Sequence, residues 1–352
     1  MNFATATDSY NVAVGDQAGK RVTTGVQNTF MGGGAGDALT DADDNIAIGF
    51  AALSSDTLGS RSVAIGKDAL FDQNFTTATN AYNVAVGYGA GTNVTTGVQN
   101  VLVGAGTGDA LTDADNNTAL GAFSLSADTK GDKSVAVGVV ALASQNFTTV
   151  TESNNVGVGY SAGGAITTGV QNTLVGSLVG DALTDADFNT AMGYLALSND
   201  TLGSKSTALG YAALKDQNFS TATDSFNVAV GHLAGENVTT GKSNTLLGGE
   251  VALALTTGES NVAIGYQALK TETSGSQSVA IGTQALRVQF QGASANNTAV
   301  GYRAGLSTTD GIKNVYLGFD AALSATTANK NVVIGSQAAD SMTTGAENVF
   351  IG

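Results

Sequence analysis

The sequence predicts an all-β fold, a parallel β-solenoid of about twenty short coils. Three observations carry that prediction. One phrase recurs twenty times: Asn or Ser, a β-branched residue, usually Ala, an aliphatic residue or Met, then Gly, ending at Gly15, Gly32, Gly49, Gly66 and onward to Gly352. Successive phrase glycines lie 17 residues apart fifteen times, 21 apart three times and 19 apart once. A fixed period this short marks stacked coils, each too small to bury its own apolar surface alone. The 352 residues also include 47 Gly and no Pro. Proline would remove a donor from a strand with neighbours on both sides, so its absence fits a stack.

The first element of each coil is the phrase itself, read as a short strand. Residues alternate between two faces of a strand. The residue just before the glycine (Val14, Met31, Ile48, Ile65, Val86, Val103) is apolar in all twenty copies. The residue two before it is Ala in most copies, and Phe30, Leu102, Leu174, Leu246, Tyr316 or Phe350 in others. Both faces are therefore apolar, as in strands covered on both sides. One face lines the coil; the other must meet something else, and another copy of the chain is the simplest partner. A second strand is expected a few residues after the glycine, around Ala18-Gly19, Ala52-Leu53, Ala69-Leu70 and Ala90-Gly91. Turns carry the Thr-Thr-Gly, Asp-Ala-Asp and Asn-rich clusters. The column Asn11, Asn28, Asn45, Asn83, Asn100 predicts a ladder of buried amides that fixes register. At about 4.8 Å per coil, twenty coils predict a rod of about 95 Å.

The coils form a larger unit of 72 residues. Val22 to Asn28 returns at Val94 to Asn100, and Gly36 to Asp43 at Gly108 to Asp115 and Gly180 to Asp187. Gln73-Asn74-Phe75 returns at Gln145-Asn146-Phe147 and Gln217-Asn218-Phe219. The expected organisation is one repeat solenoid over 1–352, with super-repeats 1–72, 73–144, 145–216, 217–286 and a partial 287–352. Met1 to Thr7 matches Gln73 to Thr79 and the chain stops on a phrase glycine. These observations predict a piece of a longer polypeptide whose open ends would stack or fray.

Composition narrows function. Net charge is −15, with 29 acidic and 14 basic residues, so nucleic acid and anionic membranes are poor partners. No run is apolar enough to cross a membrane as a helix. There is no cysteine, hence no disulfide and no thiolate chemistry.

The Asn/Ser-Val-Ala-Ile/Val-Gly phrase resembles the head repeats of trimeric autotransporter adhesins of the YadA type. The fuller phrase, as in Asn297 to Gly305 and Asn261 to Leu269, also resembles repeats in phage tail fibres. The resemblance implies a left-handed parallel β-roll, three chains packed side by side, and an extracellular role. The coils are longer than the usual YadA-type repeat. The expected function is the structural shaft of an extracellular fibre, in a phage tail or receptor-binding fibre of the virion. The alternatives are the head of a bacterial surface adhesin, or a carbohydrate- or ice-binding solenoid. The partners expected are the chain itself, as a homotrimer, and a host-surface glycan or protein receptor.

Chemical motifs are sparse. Asp41-Ala42-Asp43, Asp113-Ala114-Asp115 and Asp185-Ala186-Asp187 place oxygen ligands at alternating positions, which suits Ca²⁺. The sixth-place glycine and closing glutamate of a calcium loop are missing, and turns at coil corners use the same residues. Paired carboxylates for glycoside hydrolysis would need a groove and unequal environments. His232 is the sole histidine. No enzyme is expected. The Thr pairs at 23–24, 95–96, 167–168 and 239–240 recur too sparsely for a continuous ice-matching lattice. Gly32-Gly33-Gly34 lacks the Lys-Ser/Thr of a phosphate loop.

Overall fold

The structure is a computed structural model; it describes residues 8–290, 292 and 294–352. The match noted at residues 1–7 lies outside the described residues. The described residues form strands and turns with no helix. The whole is an all-β parallel solenoid of about twenty coils, divided into two compact units, residues 1–172 and 173–352.

In the first unit every phrase is a three-residue strand, from Val12–Val14, Thr29–Met31 and Ile46–Ile48 to Val156–Val158. Each pairs in parallel with the next, in register, so Ala13 lies beside Phe30, Phe30 beside Ala47 and Ala47 beside Ala64. The second unit repeats this from Thr173–Val175 to Val349–Ile351, with Leu174 beside Ala191 and Tyr316 beside Val333. Coils 21 residues long add a two-residue strand pair. Gly59–Ser60 pairs with Thr79–Asn80 and Gly131–Asp132 with Thr151–Glu152 in the first unit; Gly203–Ser204 pairs with Thr223–Asp224 in the second.

The expected second strand is absent. The residues around Ala18-Gly19, Ala52-Leu53, Ala69-Leu70 and Ala90-Gly91 are turns. Every other residue there lies in the left-handed region: Ala51 and Leu53 at φ 54° and 52°, Asp68 and Leu70 at 58° and 48°. The turns still stack through backbone hydrogen bonds. Ala51 N–H donates back to Gly33 O at 2.9 Å, while Leu53 N–H donates forward to Ala69 O at 3.0 Å. Alternating backbone hands give side chains a two-residue period, which in sequence imitates a strand.

The core follows from the same alternation. The residue two before each phrase glycine points into the coil: Phe30, Ala47, Ala64, Leu102 and Leu174 are fully buried. Ala13, on the first described strand, is exposed, because no coil is described on its outer side. Bulk is shared between this position and the turn. Where the strand supplies Ala47 or Ala64, the turn supplies buried Leu53 or Leu70. Where the strand supplies Phe30, the turn supplies Gly36; an added Cβ there would come within 2.4 Å of the ring. Leu102 and Gly108 repeat the arrangement, with 2.8 Å. Where both positions are small, as with Ala85 and Gly91 or Ala229 and Gly235, side chains of adjacent coils (Leu70 and Leu102, Leu214 and Leu246) fill the space, so close packing is kept along the stack rather than within every coil.

Candidate functional surface and internal polar column

The phrase glycines set the coil spacing. A Cβ on Gly15, Gly32, Gly49 or Gly66 would lie 2.2–2.6 Å from the carbonyl oxygen of the next phrase glycine. All four have φ between 132° and 137°, a region closed to L side chains without strain. Only glycine permits this turn and this approach together.

The predicted asparagine ladder is present and is more elaborate than amide stacking. Asn11 Oδ1 accepts from Asn28 N–H at 2.8 Å, and Asn28 Oδ1 from Asn45 N–H at 2.9 Å. Each side-chain N–H₂ turns to a carbonyl at a coil corner: Asn28 Nδ2 to Ala42 O at 2.7 Å, Asn45 Nδ2 to Gly59 O at 3.0 Å. Asn28, Asn45, Asn83 and Asn100 are completely buried, so every polar atom satisfied this way avoids a desolvation cost of about 1–3 kcal/mol.

Where Ser replaces Asn, the ladder is completed by a network that the sequence reading did not identify. Gln73 Nε2 donates to Asp56 Oδ2 at 2.6 Å and to Ser62 Oγ at 3.1 Å, while Gln73 Oε1 accepts from Asn83 Nδ2 at 2.8 Å. Asp56 Oδ1 also accepts from Gly59 N–H and Phe75 N–H. The set returns as Asp128, Ser134, Gln145, Asn155, and as Asp200, Ser206, Gln217, Asn227. Glu272, Ser278, Gln289 and Asn297 form the fourth version. Burial pushes the Asp56 and Asp200 carboxyls above the usual carboxylate range, partly offset by hydrogen bonds from Gln73 and Gln217 and from backbone N–H groups. Phe75, Phe147 and Phe219 are buried against this network, with a ring carbon 2.7–2.8 Å from where Gly59, Gly131 or Gly203 would carry a Cβ.

The aspartate corners tie coil to coil. Asp41 Oδ1 accepts from Thr24 Oγ1 at 2.5 Å, Asp43 Oδ1 from Val26 N–H at 2.8 Å, and Asp115 Oδ1 from Val98 N–H at 2.8 Å. Asp113 accepts from Thr112 Oγ1 at 2.9 Å, with Lys130 Nζ 3.6 Å away. Asp187, next to Asp185 in the equivalent corner, donates its N–H to Ser204 Oγ at 2.9 Å. These oxygens point along the stack rather than converging. Among the described residues, no group of three or more His, Cys, Asp or Glu is placed to hold a metal ion. Thr23, Thr95 and Thr239 spend their hydroxyls on the carbonyls of Thr40, Thr112 and Thr256 in the adjacent coil. His232 stacks on Tyr211 with centroids 5.2 Å apart.

The outward strand face is different. The residues one and three before each glycine point away from the coil, and the strand burial alternates accordingly. Val14 is 54% exposed, Met31 48%, Leu120 48% and Met192 51%; Ile48, Ile65, Val86 and Val103 are half-buried. Coil after coil in each unit therefore presents a pair of β-branched or aliphatic side chains that the coil's own backbone does not cover. No helix among the described residues is long and apolar enough to cross a membrane.

Comparison with family models, with curated proteins and with solved structures gives no match. The family resemblance therefore rests on the repeated phrase.

Proposed function

We propose that this chain is a structural shaft segment of an extracellular fibre, assembled as a homotrimer through its outward strand faces, with no catalytic role. The observation that carries the reading is the pairing of a self-satisfied polar interior with an uncovered apolar strand face in each coil. A buried Val, Ile or Leu is worth about 1.5–3 kcal/mol, so about ten half-exposed ones supply on the order of 10 kcal/mol on association, comparable with the roughly 4–15 kcal/mol cost of docking. Exposed apolar surface of this regularity marks an interaction face. The low charge content, 12%, and the coil-to-coil use of polar side chains suit a load-bearing element rather than a reactive one.

The owner most consistent with the fuller phrases at Asn261 to Leu269 and Asn297 to Gly305 is a phage tail or receptor-binding fibre in the virion. The head of a bacterial trimeric adhesin is the alternative. Antibodies raised against the chain separate the two. Decoration of virion fibres supports the first owner, labelling of the bacterial surface replaces it with the second, and labelling of neither removes the fibre reading.

A further inference from the structure

We infer that the groove at residues 16–74 of the first unit is a binding site for a neutral oligosaccharide. The groove lies on the turn side of the coils, beyond the strands, and has a volume of about 670 Å³, inside the roughly 300–1,000 Å³ range of small-molecule sites. It exists because one coil carries Gly33-Gly34 where its neighbours carry side chains. The coil position of Gly33 is taken by Asp16 before it and by Phe50 after it. The Phe50 ring stands beside the resulting notch, with Cδ2 3.5 Å from where Gly33 would carry a Cβ, and the residue is 62% exposed. An aromatic ring held at the edge of a notch, rather than folded into the core, is a flat apolar platform in water.

The polar lining has unspent hydrogen-bonding capacity. Asp16 and Asp37 make no side-chain hydrogen bond or ion pair among the described residues, and neither does Arg21; Ser54 and Ser55 add hydroxyls. Aromatic face, carboxylate and hydroxyl together match a pyranose ring, whose C–H face is apolar and whose rim is made of hydroxyls that donate to carboxylates and accept from guanidinium. Two carboxylates against one guanidinium disfavour an anionic sugar, which fixes the class as neutral. One super-repeat along, Tyr88, Gly106, Asp109 and Phe123 line a smaller groove of about 270 Å³, but Ala105 stands there in place of Gly33 and Ala122 in place of Phe50, so notch and platform are not repeated. In the second unit Tyr266 stands beside Gly249 as Phe50 stands beside Gly33, with Cδ2 again 3.5 Å from the Cβ position.

This inference does not rest on self-association. The test titrates the full chain with maltotetraose, cellotetraose and a mannotetraose, and with a sialylated tetrasaccharide, using saturation-transfer NMR and calorimetry. Two variants accompany it. Phe50→Ala removes the platform, and Ala122 holds the same position one super-repeat on. Gly33→Val fills the notch, and Val139 holds the same coil position elsewhere. Both substitutions are therefore residues that this position accommodates. The expected result is binding of at least one neutral tetrasaccharide, weakened about tenfold or more by each variant, with circular dichroism unchanged. Absence of binding, preference for the sialylated sugar, or binding indifferent to both variants overturns the site. A chain that associates but binds no neutral sugar loses the groove and keeps the shaft; a monomer that binds through Phe50 does the reverse.

Discussion

The glycine that closes each phrase and the carboxylate buried once per super-repeat set the strongest single-residue constraints. Gly66 has a positive φ of 135°, and a Cβ added there would lie 2.2 Å from Gly87 O. Gly66→Ala is predicted to destabilise the fold by at least about 1–3 kcal/mol from backbone strain alone, and the clash adds to it. Urea unfolding of the variant measures this; an unchanged midpoint would show that the coil spacing can relax. Asp56 and Asp200 give a pH dependence with an unusual sign. Their folded-state pKa is raised by burial, so on acidification they bind protons in the folded chain before the unfolded chain does. Stability therefore rises as pH falls from the raised folded value toward the ordinary carboxylate value, and is lost again as pH climbs back through that window. Urea midpoints of the wild type and of Asp56→Asn/Asp200→Asn, measured from neutral to mildly acidic pH, should diverge in favour of the wild type as pH falls. Divergence in the opposite direction would contradict the assignment.

At the scale of the coil, the strand and its turn divide one core volume between them wherever one of the two is bulky. Ala64 and Leu70 are both fully buried, and Leu70 sits at φ 48°, where glycine is unstrained. Ala64→Leu alone should overpack the coil at a cost of about 1–3 kcal/mol. Adding Leu70→Gly should recover much of that loss, because it recreates the Leu102 and Gly108 pairing. A double-mutant cycle reads the coupling; strictly additive effects would show that the two positions do not share space. The sequence made part of this visible and hid the rest, for physical reasons. Two-residue alternation in the phrase identified the strands and both of their apolar faces. It did not say which face turns inward, because Ala and Val are both apolar; packing decided it by placing the smaller Ala column in the narrow interior. The second strand was misread because Ala51, Leu53, Asp68 and Leu70 alternate through left-handed backbone with the same two-residue period. Asp56, Asp128, Asp200 and Glu272 were overlooked because isolated acidic residues usually face solvent. Their constant 17-residue distance from Gln73, Gln145, Gln217 and Gln289 was the available signal.

At the scale of the molecule, the division of labour is between an interior that satisfies itself and an exterior that does not. The asparagine ladder, the Asp–Gln–Ser network and the aspartate corners leave few buried polar groups needing a partner from outside. The outward strand residues Val63, Ile65, Val84 and Val86 have neighbours along the stack but, among the described residues, no layer above them. An apolar sheet face of this kind is a place for another chain, and a second copy supplies a matching surface at the same repeat. The candidate site was less legible than the fold. The phosphate-loop reading of Gly32-Gly33-Gly34 was set aside on its missing lysine. The groove those glycines open depends on Phe50 in the following coil, a relation that appears only once the coils are stacked. Sedimentation equilibrium of the full chain across a range of concentrations tests the central claim most directly. The account predicts a species of three times the 34.9 kDa chain mass, and a single-chain mass at every concentration would contradict it.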